Sequence, residues 1–329
     1  MKKRPSDIKP ARKTKVGVVG LGLMGTSIAT TLLVSGHPVV AIASIPSDLN
    51  TASTIFQSQL TQCQQLGLLD KPLNDYLENL LITENYAMLE DCRLVIECVI
   101  EEEKIKISVY NKIESVVSSK AIIGTNTSAI PISQLQQHLK HPGRFLGLHW
   151  AEPAFSTRFL EVTCGDKTEI EYAEKLVAWA ENWNKEPTLL RKDIRGFITN
   201  RLMYAVYREG LAQYEAGVAD LDDLDKAFRY DVGSWISIMG LFERMDYIGV
   251  ESFGEELAQL LPMLSNSKAV PEVMESIVDN NARGIHNQKG LYNYSPEEAK
   301  NWDQAFADFS REIFHLTEKY ISDIENNDH

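Results

Sequence analysis

The chain has 329 residues, 44% of them hydrophobic and 24% charged, the balance of a globular protein with room for two domains. With 33 basic against 46 acidic side chains its net charge is −13, which repels phosphate backbones and argues against a nucleic-acid partner. No apolar run reaches the roughly 18 residues that a membrane span needs, so no membrane association is expected.

The cations are unevenly placed. Lys2, Lys3, Arg4, Lys9, Arg12, Lys13 and Lys15 crowd the amino terminus, and the next basic residue is Lys71. Residues 1–13 are polar and proline-containing without the apolar centre of a secretory signal, which predicts a flexible, solvated basic tail. Cys63, Cys92, Cys98 and Cys164 form no CxxC pair and no metal-ligand spacing. They read as reduced thiols of a cytoplasmic protein, and no metal is expected.

In chain order, Lys15-Val-Gly-Val-Val19 predicts a first strand, which ends in Gly20-Leu-Gly-Leu-Met-Gly25. A helix follows to Val34, with Gly36 as its stop, and Val39 to Ala43 is the next strand. Residues 48–66 and 72–79 have the pattern of two polar-faced helices inserted before the sheet resumes. Further strands are predicted at 94–98, 121–125, 145–149 and 159–163, with helices at 103–117 and 168–183. This alternation predicts a mostly parallel α/β sheet. The texture changes near Asp193. Beyond it only helices are predicted, at 197–217, 221–229, 240–261, 270–281 and 296–323. The expected organisation is an α/β domain over 14–193 followed by an all-α domain over 194–329.

A lone GxGxxG is weak, but Gly20, Gly22 and Gly25 sit between an apolar strand and a helix, the context in which the motif binds a dinucleotide. Gly20 permits the tight turn, Gly22 lets the backbone approach a pyrophosphate, and Gly25 lets helix and strand pack closely. Leu23 and Met24 open the helix and offer N–H groups to the anion. The first domain is therefore expected to be Rossmann-like. The acid that usually takes the adenine-ribose hydroxyls, about 20 residues on, is missing. Its place holds Ala43, followed by Ser44, and no Lys or Arg lies between residues 16 and 70 to receive a 2′-phosphate. NAD is the expected cofactor, with a weaker ribose contact from Ser44.

His149 ends a strand at the sheet edge where the glycine loop lies, and Glu161 lies twelve positions later within the next apolar strand. A carboxylate in such a strand needs a partner. Spacing alone leaves two readings open, a satisfied core histidine beside an edge glutamate, or a catalytic pair. Four separated motifs bear on the choice: Asn126-Thr-Ser128, Gly147-Leu-His149, Phe159-Leu-Glu-Val162 and Arg195-Gly-Phe-Ile-Thr-Asn-Arg201. Together they resemble the 3-hydroxyacyl-CoA dehydrogenase family. The likeness runs from about Lys15 to Tyr294 and takes in Met239-Gly-Leu-Phe-Glu243 and Lys289-Gly-Leu-Tyr-Asn-Tyr294.

The resemblance implies that Ser128, His149, Glu161 and Asn200 form the active site. It further implies that Glu101, Lys106 and Asn126 lie at the cofactor. Histidine titrates in the range a general base needs, a carboxylate can fix its tautomer, and Ser128 and Asn200 can hydrogen-bond the reacting oxygen. Because Asn200 opens the first helix of the second domain, the site is expected between domains. The resemblance also implies a homodimer formed through the helical domain, and a place in fatty acid metabolism.

Three departures bear on the substrate. Glu152 stands in His149-Trp-Ala-Glu-Pro153 where the family often has an amide, Leu241 replaces a usual proline, and the insertion 50–70 lacks cations for coenzyme A phosphates. The motif match implies a short-chain 3-hydroxyacyl-CoA as the small-molecule substrate. The departures point to a free hydroxy acid or polyol, as in the gulonate and carnitine dehydrogenase and lambda-crystallin branch. A silent dinucleotide-binding protein is a third reading. His138 and His141 flank a polar turn and read as solvated. Tyr204, Tyr207 and Tyr214 share helical spacing that suits core or dimer packing. Asp220, Asp222, Asp223 and Asp225 lack the central glycine and glutamate of a calcium loop.

Overall fold

The computed structural model describes residues 14–326 apart from position 252; the basic segment 1–13 lies outside the described residues. The chain divides into two compact units, Met1–Ile198 and Thr199–His329.

In the first unit, β1 (Val16–Val19) leads through the glycine loop into α1 (Leu23–Val34), then β2 (Val39–Ile42), α2 (Pro46–Gln65), α3 (Leu73–Leu77) and β3 (Leu80–Thr83). The chain continues through β4 (Leu94–Glu97), α4 (Glu103–Glu114), β5 (Ile122–Thr125), α5 (Ile132–Gln136) and β6 (Phe145–Trp150). It closes with β7 (Phe159–Cys164), α6 (Ile170–Ala180) and β8 (Glu186–Leu190). The eight strands form one sheet in the order β3-β2-β1-β4-β5-β6-β7-β8. Pairing is parallel from β3 through to β6, then antiparallel between β6 and β7, and β8 runs parallel to β7. The Rossmann-like, mostly parallel sheet is as expected.

Both faces are covered, as a parallel sheet requires. Val16, Val18, Leu94 and Ile96 pack with Ile28, Leu32, Phe56 and Leu176 of α1, α2 and α6. Their strand neighbours Val19 and Val95 pack on the other face with Tyr110 and Ile113 of α4 and Leu135 of α5. Sequence patterning misses β3, β8 and α5. The first two are short edge strands whose residues, apart from the buried Leu190, are partly buried or exposed, so their period is faint.

The second unit holds α7 (Thr199–Glu215), α8 (Leu221–Tyr230), α9 (Leu241–Ile248), α10 (Phe253–Leu260), α11 (Glu272–Asp279) and α12 (Pro296–Asn326). The single helix expected over 240–261 is two, because Gly249 takes φ +111° and ends the first. Among the described residues of this unit none is buried. No helix among the described residues is long and apolar enough to cross a membrane.

One buried lock joins the start of the first unit to its far side. The Trp183 indole N–H donates to His37 Nε2 at 2.9 Å, so His37 carries its proton on Nδ1 and donates to the Thr14 carbonyl at 2.9 Å. Trp183 in turn stacks on Trp150 of β6, with centroids 5.8 Å apart. Burial lowers the His37 pKa from the ordinary 6.5, and the Thr14 bond only partly opposes it. The unfolded chain therefore takes up this proton before the folded one does. The lock's stabilisation is complete above pH 6.5 and is lost as the pH falls from there toward the folded value. Melting temperatures measured between about pH 5 and 8 should fall on the acid side, and less steeply for His37→Gln than for the unaltered protein. Identical acid slopes for the two proteins would remove His37 as the cause.

Candidate active site

The chain order reverses between β1 and β4, which are neighbours in the sheet, and loops at such a switch point part to leave a crevice at the strand ends. The glycine loop fills one side of it. Gly20 has φ +95°, and a Cβ there would stand 2.9 Å from the Cys98 carbonyl, while one at Gly25 would overlap the Gly20 carbonyl oxygen. Gly22, by contrast, has nothing within 4 Å of where a Cβ would be. It is the N-cap of α1, with no side-chain cap and no acid in the first turn, and Leu23 beside it is exposed. An open backbone cradle at a helix N-terminus fits a pyrophosphate. Ser44 is exposed, and its N–H donates to Asp48 Oδ2 at 3.3 Å. Asp48 also accepts the Leu21 N–H at 3.5 Å. The sequence reading missed this residue; its only signal is an acid one helical turn beyond the expected place.

At the end of β6, His149 stands directly opposite Glu161 in the antiparallel register, and His149 Nδ1 lies 2.7 Å from Glu161 Oε2. A carboxylate only accepts, so the proton sits on Nδ1 and the Nε2 lone pair is left for a ligand. Glu161 is 1% exposed, and its Oε1 also accepts the Ile198 N–H at 3.1 Å. The His149 ring lies between Phe159 and Phe197, at centroid distances of 5.6 and 5.5 Å. Phe197 adopts φ +50° after Gly196 at φ +82°, an uncommon pair that sets the ring on His149 and the next N–H on Glu161. Sequence reasoning passed over Phe197, although Gly196 marks the turn.

A second buried carboxylate, Glu97, ends β4 and went unnoticed in the sequence. It accepts from Lys106 Nζ, the Tyr110 hydroxyl and the Thr125 hydroxyl at 2.8 Å each, and from the Val99 N–H at 2.7 Å. Lys106 also pairs with Glu101 Oε2 at 3.2 Å. Glu101 Oε1 accepts the Thr127 hydroxyl and the N–H groups of Ser128 and Ala129 at 3.2 and 3.1 Å. Burial alone would raise the Glu101 pKa, but the Thr127 bond and the Lys106 charge outweigh it and hold it low. Burial likewise opposes the Lys106 charge, and the two glutamates reverse this and raise its pKa. Lys106 is therefore enclosed between Glu97 and Glu101, and it bears on Ser128 through Glu101.

Asn126 joins these groups. Its Oδ1 accepts the Trp150 N–H at 3.1 Å, and its own N–H donates to the Glu97 carbonyl at 2.9 Å. The loop after β6 is tied to α1, where the Ala154 N–H donates to the Ser27 hydroxyl at 2.7 Å, and Lys185 donates to the carbonyls of Ala154 and Thr157. Burial pushes the Lys185 ammonium down to about 7, with Arg158 adding to the shift. Arg158 itself, just before β7, pairs with Glu186 at 2.5 Å, and Glu152 is exposed. The structure thus brings together His149 with Glu161, and Ser128 with Glu101 and Lys106, at one sheet edge. Asn200 lies in the first turn of α7, in the second unit. Tyr204 and Tyr207 are 69% and 53% exposed, which excludes the core reading for both. A cavity of about 380 Å³ lined by Lys140, His141, Arg144 and Lys167 lies at the other sheet edge, where β6 begins, away from this geometry.

Comparison with known proteins agrees with this arrangement. The NAD binding domain of 3-hydroxyacyl-CoA dehydrogenase matches residues 15–194, and the C-terminal domain of the same family matches residues 196–294. A 5-formyl-3-hydroxy-2-methylpyridine 4-carboxylate 5-dehydrogenase of Mesorhizobium japonicum is 29% identical over 286 residues, covering 87% of this chain and 92% of its own. The L-carnitine dehydrogenase of Oceanobacillus iheyensis is 29% identical over 272 residues, covering 80% and 88%. A crystal structure of an enzyme described as an NAD+-dependent dismutase with the first of these activities superposes with a TM-score of 0.86 at 28% identity, covering 92% of this chain and 98% of that one. The chain belongs to the 3-hydroxyacyl-CoA dehydrogenase family, NAD-dependent dehydrogenases of CH–OH donors.

Proposed function

We propose that the chain oxidises the carbinol of a small, free hydroxy acid, with His149 as general base and Glu161 as the group that orients it. The observation that carries the catalytic part is the 2.7 Å bond from His149 Nδ1 to a buried carboxylate, which leaves Nε2 as the acceptor. Bound NAD supplies the hydride acceptor. His149 Nε2 takes the hydroxyl proton, and Glu161 stabilises the imidazolium that forms. Ser128, on the turn ordered by Glu101, donates a hydrogen bond to the oxygen as it becomes a carbonyl. Turnover by His149→Ala should fall about 10²–10⁴-fold while NADH binding persists. Near-normal turnover by that variant would sink the assignment.

The substrate part rests on what α2 lacks. Pro46–Gln65 carries one acid, Asp48, and several amides but no Lys or Arg, so the described α2 has no cation for coenzyme A phosphates. Neither relative named above carries a coenzyme A ester in its name. Arg158 is partly exposed at the active edge and is the proposed partner for a substrate carboxylate; its pairing with the exposed Glu186 is one that solvent weakens. In steady-state assays, free 3-hydroxy acids with NAD should be turned over and acetoacetyl-CoA with NADH should not. Salt-sensitive turnover of acetoacetyl-CoA, with a Michaelis constant raised by Lys71→Glu, would favour the thioester instead.

The helical unit supports a homodimer. Leu202, Tyr204 and Tyr207 of α7 and Trp302, Phe306 and Phe309 of α12 are all exposed, and no described residue of the unit is buried. A unit of this size normally buries more than half of its surface, so these faces call for a second copy. Sedimentation velocity should give twice the 37.1 kDa chain mass, and Tyr204→Asp with Tyr207→Asp should shift it toward the monomer. A stable folded monomer of the unaltered protein at micromolar concentration would refute the dimer.

A further inference from the structure

The adenosine side of the dinucleotide site lacks its usual acid. Ala43, after β2, is 5% exposed and offers only a methyl group. Ser44 is the next polar side chain; it is exposed and carries no charge to repel a 2′-phosphate. The chain then turns at once into α2, whose N-cap Ile45 is extended and whose first residue is Pro46. The Asp48 N–H donates to the Ile45 carbonyl at 3.0 Å, which folds the first turn back toward the end of β2.

This turn brings one carboxylate between two loops. Asp48 Oδ2 accepts the Ser44 N–H from the loop after β2 and the Leu21 N–H from the glycine loop. An acid in the first turn can reach back to the chain entering its helix, which accounts for the first of these bonds. It does not explain the second, because Leu21 is 27 positions away and belongs to the pyrophosphate cradle. Both bonds use Oδ2, and Oδ1 has no partner among the described residues. Asp48 is half-buried, so this oxygen is held in place without being sealed off.

We infer that Asp48 takes the adenosine ribose hydroxyls of NAD and excludes the 2′-phosphorylated cofactor, acting from the first turn of α2 in place of the acid missing at the end of β2. The inference rests on NAD as the cofactor. A pyrophosphate held over Gly22 would direct the ribose toward the end of β2, where Asp48 bridges the two loops. Ribose hydroxyls donate to a carboxylate in charge-assisted bonds. A 2′-phosphate would meet that carboxylate instead, and no Lys or Arg from residue 16 to 70 offsets the repulsion.

The test is fluorescence titration of the full chain with NADH and NADPH, comparing the unaltered protein with Asp48→Asn, Asp48→Ser and Asp75→Asn. Asp75 is the first-turn acid of α3 and controls for loss of one charge. Asn keeps an acceptor for the Leu21 and Ser44 N–H groups, and Ser provides a second, smaller variant should the first fold poorly. The unaltered protein should prefer NADH. Both Asp48 variants should weaken NADH and tighten NADPH, each by about tenfold, the scale of one charge-assisted bond. Asp75→Asn should leave both affinities as they were. An unchanged NADH-to-NADPH ratio in both Asp48 variants would overturn the inference, as would a ratio that shifts with Ser44→Ala and not with Asp48→Asn. Binding of neither dinucleotide by the unaltered protein would overturn the cofactor itself and this role with it.

Discussion

The bond between Glu161 and the His149 imidazole exists only because β7 runs antiparallel to β6. In that pairing the two residues stand opposite each other on one face, with side chains close enough to touch, and a slip of one residue would send Glu161 to the other face. A carboxylate this deeply buried costs several kcal/mol, on the order of a lost ion pair, unless its oxygens are satisfied. One partner is the histidine. Another is the Ile198 N–H, which reaches Glu161 because Gly196 and Phe197 both take left-handed backbone conformations. Holding Phe197 there costs about 1–3 kcal/mol, and the buried acid it satisfies offsets this. Strand direction, register and backbone strain thus converge on one orientation of one imidazole.

Glu97 repeats the device one layer away. It is fully buried at the end of β4, and four donors from β5, α4 and its own loop converge on it. Lys106 passes this order to Glu101, which holds the turn bearing Ser128, while Asn126 joins that turn to the end of β6. Removing one member would strand a charge in the interior, which is why such networks behave as units. The loop after β6 adds the remaining link. Ser27 of α1 and the buried Lys185 hold its two ends, so the helix that opens the dinucleotide cradle and the strand that carries His149 share one rigid frame.

What could be read from the sequence followed from the range of each signal. The glycine loop announces itself because turn, strand and helix are contiguous, and β1, β4, β5 and β6 show as apolar runs because both their faces are buried. The antiparallel turn left a signal in the sequence that went unused. Only eight residues separate Trp150 from Phe159, too few for the crossover that a parallel pair needs. By contrast β3 and β8 lie at the sheet edges and carry mixed faces, so nothing local marks them. Glu97 and Phe197 were hidden for another reason: a buried acid reads as polar and a strained aromatic reads as core until their partners are in view. The ribose acid was sought at Ala43, at the strand end, whereas Asp48 stands five residues later.

Charge distribution separates the demands of the dinucleotide from those of the substrate. The glycine loop that fits a pyrophosphate offers backbone N–H groups and a helix dipole, with no cation anywhere in α1 or α2. It can therefore serve a dinucleotide in a chain of net charge −13 without any basic patch that would also attract other polyanions. Coenzyme A would need the reverse, since its phosphates lie outside such a cradle and depend on side-chain cations. The proposed hydride-transfer edge, around Ser128, His149 and Glu161, makes no demand on α2. Catalytic geometry and the proposed turn from thioesters to free acids are thus compatible, because they draw on different residues.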